Sequence, residues 1–183
     1  MKKIFFLLSL ILILNSCKDL KKTERLVEPV EKKAKKVKEN IYRLSLFGEF
    51  GIENRFSLWF VEDSNTKFNS KQYLSKKVSG IGGGQEVLFE LKKNEILEKF
   101  RLRLANNSEN TEIKLDSLII SYNLKKLTIH PKEYLKYLKP NKYVELDTTS
   151  IIRFKSIEIN KKVIFDPFII SNDKLNDELF NLY

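Results

Sequence analysis

The clearest structural signal in the chain is the stretch 100–104, which reads Phe100-Arg101-Leu102-Arg103-Leu104. Successive side chains of a β-strand point to opposite faces of its sheet. As a strand, this stretch places its Phe and Leu side chains on one face and its arginines on the other. We therefore expect a sheet that covers a hydrophobic core with one face and meets solvent with the other.

The same alternation recurs before and after this stretch. It predicts further strands at 42–46, 56–60, 86–91, 125–129, 142–146, 151–154, 156–159 and 162–165. Short runs of Asn, Asp, Ser and Thr separate several of them, as is typical of turns. Many short strands joined by turns are typical of an antiparallel sandwich. We therefore predict a mainly β fold, an antiparallel β-sandwich with two short helices, over 41–183.

One long segment changes phase and predicts an irregularity in its strand. Ile113 and Leu115 occupy odd positions, whereas the apolar residues from Leu118 to Tyr122 occupy even ones. A β-bulge near Asp116-Ser117 would return both sets to the same core, because it inserts one extra residue into the strand.

The two predicted helices are short and amphipathic. The first begins at Pro131 and ends before Pro140, with a shared apolar face formed by Tyr134, Leu135 and Leu138. The second is at the end of the chain, where Ser171 or Asn172 can cap it. Its apolar stripe consists of Leu175, Leu179 and Leu182.

The N-terminus has the layout of a secretory signal peptide. Two lysines follow Met1, and an apolar run extends from Ile4 to Leu14. The run is shorter than the roughly 20 residues that a membrane-spanning helix needs. We therefore predict a signal peptide at 1–16.

The four residues Leu14-Asn15-Ser16-Cys17 resemble the lipobox of bacterial lipoproteins. The resemblance implies that Cys17 becomes the first residue and is acylated, which anchors the protein to a membrane. Lys18, in place of the Asp that retains many such proteins at the inner membrane, implies the outer membrane, with the periplasmic side and the cell surface both open. The alternative is an ordinary cysteine behind a cleaved signal.

A charged tether is predicted between the anchor and the domain. Residues 18–40 hold 14 charged residues among 23 and no aromatic residue, so they cannot bury enough apolar surface to offset the entropy of ordering. The net charge of +10 divides into +2 for 1–16, +4 for 18–40 and +4 for 41–183. A nucleic-acid-binding domain concentrates basic charge on one face, so no nucleic-acid partner is expected.

Three motifs between Gln85 and Tyr122 read Gln-Glu-Val-Leu-Phe-Glu-Leu, Phe-Arg-Leu-Arg-Leu-Ala-Asn-Asn and Glu-Ile-Lys-Leu-Asp-Ser-Leu-Ile-Ile-Ser-Tyr. Their order resembles that in the jelly-roll sandwiches found beside carbohydrate-active and glycan-assembly envelope proteins. The resemblance implies a jelly-roll-like sandwich and, by analogy of fold, glycan binding.

Catalytic patterns are weak in this chain. His130 is the single histidine, and no Gly-x-Ser-x-Gly motif accompanies it, which disfavours a nucleophilic triad and a zinc site. No spacing pairs the carboxylates that a glycosidase would need, of which the candidates are Glu86, Glu90, Asp116 and Glu145. We expect no catalytic residues, no metal and no cofactor.

Two features remain as candidates for binding. The glycine cluster at 79–85 lacks the Lys-Ser/Thr of a phosphate-binding loop, and it fits either a plain connection or a mobile lip beside a groove. Trp59 is out of phase with its apolar neighbours, as Arg101 and Arg103 are with theirs. These three residues could form one binding surface, or Trp59 could pack beneath a loop or against the C-terminal helix while the arginines serve solubility.

The sequence thus predicts a lipid-anchored envelope protein without catalytic activity that binds a glycan or another envelope ligand. The alternative is a structural or protein-interaction lipoprotein that docks a partner through a sheet edge or through the stripe of Leu175, Leu179 and Leu182. A third hypothesis, a carboxylate-based glycan-active enzyme, requires a deep cleft with two facing acids.

Overall fold

The computed structural model describes residues 40–183. The predictions for the signal peptide, for Cys17 and for residues 18–39 of the tether lie outside this part of the chain. Within 40–183, neither helix has the length and hydropathy that crossing a membrane requires.

The described residues form thirteen strands, two α-helices and one 3-10 turn. In chain order these are β1 (Tyr42–Glu49), β2 (Asn54–Val61), β3 (Tyr73–Val78), β4 (Gly84–Glu90), β5 (Lys99–Arg103), β6 (Glu112–Tyr122), β7 (Lys125–Ile129), the 3-10 turn (Pro131–Glu133), α1 (Tyr134–Tyr137), β8 (Leu138–Pro140), β9 (Val144–Glu145), β10 (Ile151–Phe154), β11 (Ile157–Ile159), β12 (Lys162–Ile164), β13 (Phe168–Ser171) and α2 (Asp173–Leu182).

Two antiparallel sheets pack against each other around one core. The first sheet has the order β4-β1-β6-β10-β9, and β7 also pairs with β6. The second has the order β3-β2-β5-β13-β8, while β11 and β12 form a separate hairpin. The prediction of a mainly β, antiparallel sandwich with two short helices is therefore confirmed.

The alternation that predicted β5 is present in the fold. Phe100, Leu102 and Leu104 are fully buried in the core, whereas Arg101 and Arg103 are half-buried on the opposite face. Full burial of each such apolar side chain contributes about 1.5–3 kcal/mol. These residues thus fix which face of the second sheet meets solvent.

A β-bulge interrupts the pairing of β1 with β6, as predicted. Phe47 is opposite Ser117, but Gly48 is opposite Leu115, so Asp116 is the extra residue. The shift allows Leu115 and Leu118 both to be fully buried. At the bulge the two backbones approach closely, and a Cβ on Gly48 would overlap the carbonyl oxygen of Lys114.

Two buried tyrosines tie helices to strands. The Tyr42 hydroxyl donates to the carbonyl of Leu179 in α2 at 3.0 Å, and the Tyr134 hydroxyl of α1 donates to the carbonyl of Leu115 at 2.7 Å. Burial raises the pKa of both phenols. Both hydroxyls therefore stay protonated donors, and each satisfies a carbonyl that would otherwise be costly to bury.

The C-terminal helix follows its sequence pattern. The side-chain oxygen of Asn172 accepts from the backbone N–H of Leu175 at 3.1 Å, which makes Asn172 the cap. The stripe of Leu175, Leu179 and Leu182 is buried in the core. This stripe is therefore not free to dock another protein.

The prediction for 131–140 is wrong in part. The 3-10 turn and α1 end at Tyr137, and Leu138 is extended and pairs with Ser171 of β13. Leu135, expected on the buried face, is 56% exposed. A proline disfavours the helical conformation of the residue before it, so Pro140 favours an extended backbone at residue 139.

We predict that Gly48→Ala lowers the free energy of unfolding by about 1–3 kcal/mol, because the added methyl must displace backbone at the bulge. Gly51→Ala is the matched control, since a Cβ there has no atom within 4 Å; a change below about 0.5 kcal/mol is expected. Urea unfolding measures both, and equal stability of the two variants would contradict this account of the bulge.

Candidate functional site

The three residues proposed from the sequence as ligand contacts lie together on the outer face of the second sheet. Trp59 of β2 is directly opposite Arg101 of β5, and Arg103 projects from the same face two residues further along. Tyr73 of β3 is opposite Trp59 on its other side, and Phe168 of β13 is opposite Arg103. We call these five residues the aromatic–arginine face.

Close contacts between guanidinium groups and rings organise this face. The guanidinium carbon of Arg101 lies 4.2 Å from the centroid of the Trp59 ring and 5.2 Å from that of Phe168. The guanidinium carbon of Arg103 lies 5.3 Å from the Trp59 ring. These distances are within the range of cation–π attraction. The rings of Trp59 and Tyr73 are 4.9 Å apart, so the indole is held between a phenol and the arginines.

The two arginines have few acceptors of their own. An oxygen of Asp166 lies 2.6 Å from a terminal nitrogen of Arg103, and this is the only ion pair that either arginine makes within 40–183. The Nε atoms of both arginines are buried without a hydrogen-bond partner among the described residues. Burial lowers the pKa of Arg101; Asp166 opposes this shift and Arg103 adds to it. A bound anion would therefore offset the repulsion between the two guanidinium groups and the cost of burying their charge.

Basic residues extend the positive charge of this face along the sheet. Arg55 is opposite Lys77, Lys99 is opposite Val61, and both pairs are in phase with Trp59 along β2. The Lys77 ammonium lies 2.8 Å from the Glu53 carboxylate. The face therefore presents aromatic edges surrounded by guanidinium and ammonium donors.

Sequence reasoning missed Tyr73, Phe168 and Asp166. The strand of Tyr73, β3, reads Tyr-Leu-Ser-Lys-Lys-Val and lacks a clear apolar alternation. Phe168 begins the run Phe-Ile-Ile, which shows no period of two. Asp166 precedes that strand, and only its contact with Arg103 reveals its place in the site.

Of the catalytic candidates from the sequence, Glu86 and Asp116 line one cavity of about 420 Å³ beside Gly48 and Gly84. His130 is exposed, and its carbonyl accepts from Glu133 N–H at the start of the 3-10 turn. Among the described residues, no group of three or more His, Cys, Asp or Glu side chains is placed to hold a metal ion.

The acidic candidates do not form a facing pair in β4. Glu86 is opposite Phe47 and Glu90 is opposite Arg43, which puts them four residues apart in one strand, or about 13 Å. The Glu90 carboxylate lies 3.2 Å from the Arg43 guanidinium. Glycosidase carboxylates are closer, at about 5 to 9.5 Å across a cleft.

The glycine cluster forms the connection between β3 and β4. Its member Gly82 lines a cavity of about 430 Å³ at one end of the sandwich. The cluster is therefore placed beside a concave surface.

Neither a protein-family model, nor a curated protein, nor a solved structure matches this chain.

We predict a measurable coupling between Trp59 and Arg101. In a double-mutant cycle with Trp59→Leu and Arg101→Met, the coupling in the free energy of unfolding should be about 0.5–1 kcal/mol, because the guanidinium lies over the indole ring. Trp59→Leu with Lys77→Met is the control cycle and should be additive, since distant residues do not couple. Equal coupling in both cycles would contradict a specific contact.

Proposed function

We propose that this protein is a lipid-anchored envelope protein whose domain binds an acidic glycan through the aromatic–arginine face, without catalysing a reaction. The observation that carries the proposal is the pair of arginines stacked around Trp59, with a single carboxylate, Asp166, paired to Arg103. A jelly-roll-like relation to modules of glycan-binding envelope proteins is part of the same proposal.

The chemistry of the face favours an anionic ligand with a ring. A guanidinium group offers a planar fork of donors that matches a carboxylate or a sulfate in two-point contact. Aromatic edges offer apolar area for the less polar side of a sugar ring. The guanidinium carbon of Arg101 lies 4.2 Å from the centroid of the Trp59 ring. This contact preorganises the guanidinium group, which therefore loses less entropy when a ligand binds.

The chain contains a built-in probe of this site. Trp59 is its single tryptophan, so the intrinsic tryptophan fluorescence reports on the aromatic–arginine face alone.

We predict that an oligogalacturonate changes this fluorescence in a saturable way and that an uncharged oligosaccharide of equal length binds more weakly. Arg101→Lys should weaken binding about tenfold, or about 1.4 kcal/mol, because lysine keeps the charge but loses the fork and the stacking. Lys126→Met, an exposed residue of β7 in the first sheet, is the control and should change the affinity less than threefold, or about 0.6 kcal/mol. Equal affinity for both oligosaccharides would contradict the acidic ligand, and no response to either would contradict glycan binding at this face.

The membrane anchor is proposed from the lipobox at Leu14–Cys17. Acylation of Cys17 would hold the domain at the outer membrane, on the periplasmic side or at the surface. Two or three acyl chains bury enough methylene groups to make that attachment effectively permanent.

We predict that Cys17→Ala abolishes labelling by radioactive palmitate and moves the protein out of the membrane fraction. Asn15→Ala changes the tolerant position of the lipobox and should leave labelling intact. Labelling of the Cys17→Ala variant, or its absence from the unaltered chain, would contradict the anchor.

A second candidate function is docking of a protein partner. The buried stripe of α2 cannot serve it, but Phe180 on the outer side of α2 is 65% exposed, Tyr183 is 61% exposed and Leu124 is 59% exposed. The Tyr183 ring lies 5.4 Å from that of Tyr122, the end of β6, which brings the C-terminus beside the turn of Leu124. A failure of both oligosaccharides to change the fluorescence would favour this candidate.

A further inference from the structure

A second concave surface lies at one end of the sandwich, away from the ring contacts of Trp59. Its volume is about 430 Å³, within the range of about 300–1,000 Å³ typical of small-molecule sites. The connection from β1 to β2, the glycine cluster, and the first residues of β6 and β10 surround it.

Asn110 is a buried polar residue of the cavity lining. The residue lines the cavity and is 2% exposed, yet its side-chain nitrogen has no hydrogen-bond partner among the described residues. Its backbone N–H donates to the Asn107 carbonyl at 3.1 Å, and the Asn107 side-chain oxygen accepts from the backbone N–H of Glu109. The turn thus fixes Asn110 in place. A buried donor without a partner is unfavourable, so an oxygen acceptor in the cavity would be stabilising.

Charged groups around the cavity include more carboxylates than cations. The Lys114 ammonium lies 2.5 Å from the Glu49 carboxylate and 3.8 Å from the Asp116 carboxylate, and Glu112 also lines the cavity. These four side chains are between 44% and 57% exposed. They can exchange hydrogen bonds with hydroxyl groups, while the surplus of carboxylates disfavours an anionic ligand.

Apolar side chains and the backbone of Gly82 complete the cavity lining. Ile52, Ile113 and Ile151 supply apolar lining. Gly82 brings the glycine cluster to the cavity without a side chain, so a ligand can approach its backbone closely. The Gln85 side chain donates to the carbonyls of Ser79 and Ile81 at 3.2 and 2.6 Å. These hydrogen bonds hold the two ends of the glycine cluster together, with Gly82 beside the cavity.

We propose that this cavity binds one uncharged sugar ring, with the Asn110 side-chain nitrogen donating to a sugar oxygen and the Glu49–Lys114 pair contacting hydroxyl groups. The apolar lining would cover the less polar side of the ring. The sugar is either free or the terminal residue of a glycan. This site is separate from the aromatic–arginine face, and it does not depend on the acidic-glycan proposal.

Saturation-transfer NMR on the full chain, in a detergent without a sugar head group, tests the proposal. The probes are glucose, galactose, mannose and N-acetylglucosamine, each as the free sugar and as its methyl glycoside. Transfer to at least one of these eight probes is expected. Binding of the free sugar alone identifies a free monosaccharide as the ligand, and binding of the methyl glycoside identifies a glycan terminus.

Two variants assign the signal to the cavity. Gly82→Leu should reduce it at least tenfold, because a Cβ on Gly82 meets no atom within 4 Å and the side chain can occupy the opening without displacing backbone. Ser79→Leu adds a similar group on the same loop outside the cavity lining and should leave the signal unchanged. Asn110→Asp, which replaces the donor nitrogen by oxygen, should also weaken binding.

The urea unfolding transition of Gly82→Leu, followed by the fluorescence of Trp59, should match that of the unaltered chain, which shows that this variant is folded. The proposal is overturned if none of the eight probes receives saturation, or if Gly82→Leu binds as well as Ser79→Leu. Either result leaves the acidic-glycan proposal standing, because that proposal depends on the Trp59 response alone.

Discussion

The structure depends on the side-chain alternation of β5, which has one face in the hydrophobic core and the other toward solvent. Phe100, Leu102 and Leu104 are fully buried, and the period of two then requires Arg101 and Arg103 to project from the opposite face. Shifting the strand by one residue would bury two guanidinium groups and expose three apolar side chains, which costs far more than any surface contact returns. The core therefore determines where the arginines are, and the candidate binding face is a by-product of core packing.

The fold was largely predictable from the sequence because its clearest strands all show the alternation of apolar and polar residues. The alternation identified β5, β7 and β10, and the phase change between Leu115 and Leu118 identified the bulge. The rule fails where another term dominates. Leu138 has the spacing of a helical residue, but it pairs with Ser171 in an edge strand before Pro140, because tertiary pairing and the proline override local periodicity.

The candidate site was only partly predictable from the sequence, for a different reason. Alternation gives the face on which Trp59, Arg101 and Arg103 project, but not which strands are neighbours. The contact of 4.2 Å exists because β2 pairs with β5 in a register that sets Trp59 opposite Arg101. Register is a long-range property, since β2 and β5 are separated along the chain by β3 and β4. Tyr73 and Asp166 were missed because two further pairings place them: β3 with β2 sets Tyr73 opposite Trp59, and β13 with β5 brings the preceding Asp166 to Arg103.

The bulge links the core to the cavity. If Asp116 paired as a regular residue of the strand, the continued β1–β6 register would set Glu49 opposite Leu115; with the bulge, Glu49 is opposite Lys114. The same shift thus returns Leu115 to the core and places a cation beside the Glu49 carboxylate at the cavity. The aromatic–arginine face, in contrast, is built from residues of paired strands, whose positions the ladder of hydrogen bonds fixes. Asn110 and Gly82 belong to connections, which tolerate substitution better than strands do. Changes in the loops can therefore alter the cavity while the ring contacts of Trp59 stay as they are.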